Sequence, residues 1–420
     1  MPLLTFALTL ATGLLLPSDS DPAERRVPLI AKAGWDASLV LDRGALGIWT
    51  VKAFPVFEQY RGPQVVGLDD AGRCWMMVSY SGKWTPFPTV DDGAWLGALD
   101  HGDVDPRVPG PELYTGGKKG NLYQIRTYPN AATDHRLIAT FPGLELHTVA
   151  AVEIDPASPG EELLAFTNPG GLFLVTSTGE HGAFETNELE RFPGRIRDAL
   201  VLPAAAGSTR ERLATVSRTG ELAILDFGPE GHTWTTLHQS PVGKGRIALA
   251  PGSEPGRTVL YSAQDDGVIL RHAEARGGWM TTPIHYGHEG PRGLAAGHFD
   301  EDESREQVAI FGYSGRVELL TKGDERWEAE TIFEDKDRGH WLNAIEIDDR
   351  NSTLELVASG YGGRIVLLSR PPGYGKRDGA AGSAPEQSQP PGGPGGPGGS
   401  GGPPGVEMGR GAQGIPAGDR

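Results

Sequence analysis

Short runs of alternating apolar and polar residues recur along most of this chain, and the clearest set lies between Gly339 and Arg370. Trp341 to Ile347 alternates and ends in an acidic turn, Asp348-Asp349-Arg350-Asn351. A second apolar run, Leu354 to Ala358, leads to a glycine turn, Gly360-Tyr361-Gly362-Gly363, and a third run follows from Arg364 to Leu368. Period-two alternation bounded by turn residues predicts three short antiparallel strands. The same unit returns at 145–176, 290–320 and 95–125, more weakly at 196–225 and 245–271, and in degenerate form at 45–79. His147 stands eight residues before Asp155, as His340 does before Asp348 and Arg292 before Asp300. Several copies add a fourth run marked by a tryptophan: Trp84, Trp234, Trp279 or Trp327.

Unit starts near 45, 95, 146, 196, 245, 291 and 340 give seven units with a period of about 47–51 residues. Four strands per unit at such a period predict an all-β, seven-bladed β-propeller spanning residues 27–370. One meander cannot bury both of its faces, whereas seven around an axis can. The last unit stops after three strands, so the N-terminal run Ser38 to Leu41, or Val27 to Ile30, is expected to complete it. Residues 379–420 are Pro/Gly-rich without apolar periodicity and are expected to form a disordered tail. At the other end a 13-residue, mostly apolar run from Leu3 is too short to span a bilayer. It reads as the core of a signal peptide over residues 1–20, so an exported, periplasmic or extracellular, monomeric protein is expected.

Composition narrows the chemistry. A formal net charge of −17 and a pI near 5.1, with no basic stripe, argue against nucleic acid and against an anionic membrane surface. The single cysteine, Cys74, excludes an intrachain disulfide and a multi-cysteine metal site. No phosphate loop, GxSxG elbow, HExxH or CxxC pattern occurs.

In a propeller the start of each inner strand and the loop between the second and third strands open on one mouth of the central channel. The repeat alignment places Gly97, His147, Arg197, Arg246, Arg292 and His340 at the strand starts. The loops add Lys118, Lys119, Asn168-Pro169, Arg218, Asp265-Asp266, Tyr313 and Tyr361, and Trp95 and Trp341 open their own inner strands. A basic ring inside an acidic body focuses potential on an anion. Arg197, Arg246, Arg292, Lys118 and Trp341 are the candidate binding residues, for a small anionic or carbohydrate ligand or for a protein partner. His147, His340, Tyr313 and Tyr361 are the candidate acid–base groups of an alternative enzyme. No cofactor is fixed by the sequence, but His147 and His340 could form half of a divalent-metal site. The plainer alternative keeps these Arg and His as solvated mouth residues and the Tyr and Trp as packing between blades. One acidic turn alone has close-spaced acids, Asp300, Asp302, Glu303 and Glu306, and is a candidate for structural calcium.

The unit, seen as AVEIDPASPGEELLAFTNPGGLFLV and AIEIDDRNSTLELVASGYGGRIVLL, resembles the FG-GAP and VCBS-type propeller repeat over roughly residues 45–370. The chain lacks that group's DxDxDGxxD calcium pattern in every blade. The group includes adhesion modules and carbohydrate-active enzymes. A distant resemblance to the propeller of the fungal aldos-2-ulose dehydratase implies histidines and a metal at blade entrances, with His147 and His340 in that place. It implies a metal-assisted lyase or dehydratase acting on a sugar or sugar acid.

Overall fold

A computed structural model describes residues 29–374, except 33, 58, 59, 61, 81, 129–131, 159, 180, 181, 206, 255, 348 and 349. The expected leader and the Pro/Gly-rich tail lie outside the described residues. Among the described residues all regular structure is β-strand, and no helix is long and apolar enough to cross a membrane.

Seven antiparallel sheets form a β-propeller. Blade 1 runs through Ile48–Phe54, Gln64–Asp69, Arg73–Tyr80 and Lys83–Asp91. Blades 2 to 6 begin with the inner strands Leu96–Gly102, Glu145–Val152, Ile196–Leu202, Lys244–Leu249 and Pro291–Ala296. Blade 7 comprises Gly339–Ile345, Glu355–Gly360 and Arg364–Ser369. Each inner strand touches the next, and that of blade 7 touches that of blade 1, so the ring is closed.

Of the two N-terminal candidates for closure, the one at Ser38 to Leu41 closes the ring, whereas the other, Val27 to Ile30, lies partly outside the described residues and contributes only Ile30 to a strand elsewhere. Asp36–Asp42 pairs with Arg364–Ser369, with Asp36 opposite Ser369 and Asp42 opposite Arg364, and so supplies the missing outer strand of blade 7. Ile30–Ala31 instead adds a fifth strand to blade 6, against Phe333 and Glu334. Arg370 holds the crossing in place, with its guanidinium 4.2 Å from the buried Trp35 ring and its Nε donating to the Phe299 carbonyl.

The core lies between blades. Val40, Ile48, Val65, Met77, Val357 and Ile365 form one cluster across the seam of blades 7 and 1. Ala98, Tyr114, Leu146 and Leu163 form another between blades 2 and 3. The second strands are buried along their full length in blades 1, 2, 4 and 6, which explains their near-continuous apolar runs. The outer-strand tryptophans Trp84, Trp234, Trp279 and Trp327 pack against these interblade clusters, as a residue recurring at one structural position should.

The acidic turns have a structural cause. At the start of the second strand a Glu or Gln reaches back and accepts hydrogen bonds from the backbone N–H groups of the turn. Gln64 serves Val56 and Phe57, Glu112 serves Val104 and Asp105, Glu162 serves Ile154 and Asp155, Gln307 serves Phe299, and Glu355 serves Ile347. Buried turn amides need such an acceptor. The calcium expectation at 300–306 is not met: Glu306 is held by Arg271, Lys322 and Tyr261, and Asp300 by Arg305 and Gln307. Among the described residues no group of three or more His, Cys, Asp or Glu is arranged to hold a metal ion.

Replacing Glu162 with Ala leaves the Ile154 and Asp155 amides without an acceptor and is expected to cost about 1–3 kcal/mol in a chemical-denaturation measurement. Glu162→Gln retains an acceptor and should cost less; equal losses would show that the charge, not the acceptor, matters.

Candidate functional site

The inner strands carry a shared irregularity. In every blade the pairing with the second strand slips at the second or third residue of the inner strand, between Ile48 and Thr50, Leu96 and Ala98, Leu146 and Thr148, Ile196 and Asp198, Lys244 and Ile247, Pro291 and Gly293, and Gly339 and Trp341. The skipped residues are Trp49, Gly97, His147, Arg197, Gly245 with Arg246, Arg292 and His340. A β-bulge leaves one residue out of the ladder and re-aims its side chain. Seven bulges at one level turn these residues toward a common cavity of about 350 Å3 at the channel mouth.

The cavity wall includes His147, His340, Arg197, Arg246, Arg292, Trp341, Tyr313 and Tyr361, so eight of the nine expected site residues converge. Lys118 is the exception. It is bound to Glu145, which also accepts a hydrogen bond from Asn168 at 2.9 Å, and Lys119 is turned to the Asp92 carbonyl. Both lysines answer a local acid or carbonyl rather than the cavity. Trp49, Trp95, Arg195 and Arg218 also line the wall.

Charge and aromatic surface are concentrated on different arcs of the wall and meet where Arg246 lies over Trp341 and Arg292 over Tyr313. Blades 4 to 6 present Arg195, Arg197, Arg218, Arg246 and Arg292, and no Asp or Glu belongs to the wall. Arg197 and Arg292 share Asp265, at 2.8 and 2.6 Å. Arg246 is buried, 4.0 Å from the Trp341 ring centre, and donates to the Arg197 carbonyl at 2.9 Å. Burial lowers its pKa to about 10 while the buried Asp198 opposes the shift, so it stays cationic at neutral pH. The Nε atoms of Arg195 and Arg246 are buried without a protein partner.

Blades 7, 1 and 2, with Tyr313 of blade 6, present rings. Trp49 lies 5.9 Å from Trp95, 4.8 Å from His340 and 5.9 Å from Tyr361, and Trp95 lies 5.0 Å from His147. Tyr313 and Tyr361 are neighbours at 6.1 Å, with the Arg338 guanidinium facing both. Burial works against ionisation of Tyr313, yet Tyr361 and the charges of Arg292 and Arg338 bring it below the usual phenol value. Burial and the neighbouring Tyr313 push Tyr361 up to about 12.

The imidazoles stand at the two borders between these halves. His340 donates through Nδ1 to the Trp49 carbonyl at 2.6 Å. Burial, aided by the charge of Arg246, holds its pKa well below the ordinary value, so the ring is neutral with its Nε2 lone pair available. His147 Nε2 is 3.3 Å from Arg195 and 3.4 Å from Glu145. Burial and the Arg195 charge lower its pKa to about 4 against the pull of Glu145. Burial also opposes ionisation of Glu145, but hydrogen bonds from Lys118, Asn168 and His147 outweigh it and hold that acid at about 2. The ring contacts run from His147 through Trp95 and Trp49 to His340. The two candidate metal ligands are thus set apart by two indoles, without a third protein ligand among the described residues.

Two sequence signals recover the residues that the acidic-turn register missed. Trp49 has no Asp eight positions on, but Gln64 lies fifteen positions on, as Glu112, Glu162, Arg212, Gln307 and Glu355 do from Gly97, His147, Arg197, Arg292 and His340. Reading two residues before the bulges of blades 2, 3, 4 and 7 gives Trp95, Glu145, Arg195 and Arg338, of which Trp95 and Arg195 line the cavity.

No family model matches the chain, so the FG-GAP and VCBS likeness rests on the repeat residues alone. No curated protein matches it either. Solved structures do. The chain is similar to the WD40 β-propeller domain of Doa1, with a TM-score of 0.57 and 11% identity over 81% of this chain and 98% of that one. It is also similar to a crystal structure of BBS1N in complex with ARL6DN, with a TM-score of 0.53 and 11% identity over 82% of this chain and 97% of that one. At such identity the likeness establishes the β-propeller fold.

A histidine NMR titration is expected to show His147 neutral until the pH falls to about 4, with His340 resisting protonation further. In the unfolded chain both would protonate near pH 6.5, about the ordinary value. The unfolded state therefore binds more protons below that point, and stability should decline as the pH falls through about 6.5 toward 4. His147→Asn should flatten part of that decline in denaturation curves; an imidazole titrating near 6.5 in the folded protein would refute the neutral assignment.

Proposed function

We propose that this chain is an exported, monomeric β-propeller that holds a small anionic or carbohydrate ligand at its Arg/His-lined channel mouth. The observation that carries this reading is the cavity wall itself, with five guanidinium groups and no carboxylate. In a protein of net charge −17, that is a local inversion of the surface field. Arg195 and Arg246 both line the wall, so their guanidinium groups border the space a guest would fill. The resemblance of the repeat to FG-GAP and VCBS units agrees with a binding role. A cavity of about 350 Å3 suits a small molecule, or one acidic side chain of a protein partner.

Calorimetry with inorganic phosphate and with lactate tests the reading. Binding of either should weaken with salt, and Arg195→Met should reduce it about tenfold or more, one charge-assisted hydrogen bond contributing roughly 1.5–3 kcal/mol. The circular dichroism spectrum should be unchanged. Absence of binding by both anions would overturn the proposal. Export rests on the apolar run from Leu3; the mass of protein recovered from the culture medium or periplasm should show that this run has been removed.

A second reading, a lyase- or dehydratase-like enzyme acting on a sugar or sugar acid, is favoured by the neutral His340. Its Nδ1 is fixed on Trp49 and its ring lies 5.4 Å from Tyr361. Such a pair could take and return a proton, with the arginines stabilising an enolate. In that case His340→Asn abolishes turnover while leaving anion affinity unchanged. A divalent ion on His147 and His340 would need the ligand or water to complete its coordination.

A further inference from the structure

We infer that the ligand is a single hydroxylated ring bearing a carboxylate, an acidic monosaccharide unit, seated with its ring against Trp95 and Trp49 and its carboxylate toward Arg195 and Arg246. This deepens the anion-binding reading and rests on it. The cavity has two unlike halves: guanidinium groups come from blades 4 to 6, and the indoles of Trp49 and Trp95 come from blades 1 and 2, while the third indole, Trp341 of blade 7, has the Arg246 guanidinium 4.0 Å from its ring centre. A bare anion would use only the first half and leave the indole surfaces wet. A neutral sugar would use the second half and leave the guanidinium groups of the first unanswered.

A carboxylate matches the planar guanidinium in a two-point contact. The choice between a hydroxylated and an aromatic ring comes from the polar atoms among the rings. The Trp49 indole N–H is already given to Asp70, so that side chain offers its face rather than a donor. His340 keeps an Nε2 acceptor, and Tyr313 and Tyr361 bring hydroxyls to the wall. Acceptors and hydroxyls beside π faces suit a pyranose, whose C–H face carries the positive edge that an indole face attracts while its hydroxyls bond sideways. An apolar aromatic acid would leave the His340 Nε2 acceptor unpaired, which a buried site penalises. A volume of about 350 Å3 lies at the low end of small-molecule pockets, roughly 300–1,000 Å3, and limits the seat to about one such unit.

The test is calorimetric titration of the full chain with D-glucuronate, D-glucose, lactate and benzoate, repeated on Trp95→Ala. D-glucuronate should bind at least tenfold more tightly than each of the other three. Trp95→Ala should weaken D-glucuronate tenfold or more while changing lactate by less than twofold. If lactate matches D-glucuronate, or Trp95→Ala weakens both alike, the ring assignment fails and the anion site stands. Tighter binding of benzoate overturns the hydroxylated ring. If D-glucose binds as well as D-glucuronate, the carboxylate assignment fails. Binding of none of the four overturns this inference and the reading beneath it.

Discussion

A ring of sheets holds only if its last sheet finds a partner edge, and here the pairing of Asp36–Asp42 with Arg364–Ser369 meets that condition. Chain segments more than 320 residues apart lie in one blade, and the pairing of Asp36 with Ser369 marks its end. Without it, blade 7 would expose an unpaired edge and the apolar cluster across blades 7 and 1 would lose the flank made by Val40 and Leu41. Every inner strand is wedged between two others, so a fault at this seam reaches the whole channel mouth.

Within that closed frame, the bulges create the site. An ordinary inner strand would direct alternate residues into the interblade cores on either side. By dropping one residue from the ladder at the same level, or two in blade 5, six of the seven blades release a side chain toward the axis, and blade 2 places Gly97 there. Concentrating guanidinium groups there is electrostatically unfavourable, and the structure offsets it in two ways. Asp265 bridges Arg197 and Arg292, and Asp198 lies buried beside Arg246, where burial pushes its carboxyl up and the Arg246 charge opposes that shift. Neither acid belongs to the cavity wall, so the positive field at the mouth survives. The two imidazoles add no charge at neutral pH because burial and neighbouring arginines keep them neutral.

The fold was legible because its rules act at short range. Period-two runs, glycine turns and the tryptophan of the outer strand each report a local event, and their recurrence reports the ring. The gathering of His147, Arg197, Arg292 and His340 could be read for the same reason, since equal positions in equal units meet at an axis. The fate of Lys118 could not, because its partner Glu145 belongs to the next blade and only the packing shows that an acid lies within its reach. Trp49 escaped because blade 1 keeps the capping Gln64 but not the acidic turn used as a landmark. The gathering of arginine in blades 4 to 6 and of indole in blades 7, 1 and 2 was present in the sequence only as an ordering around a circle, which a linear reading does not display.

The bulge also divides the labour of the chain. A residue left out of the ladder has little to do with holding the sheet together, and seven such positions here carry Trp, Gly, His, Arg, Arg, Arg and His. The scaffold and the surface it offers a guest are therefore inherited on separate accounts. A lineage can rewrite its preference one letter per blade, trying new combinations around the circle, while the seven sheets beneath remain as they were.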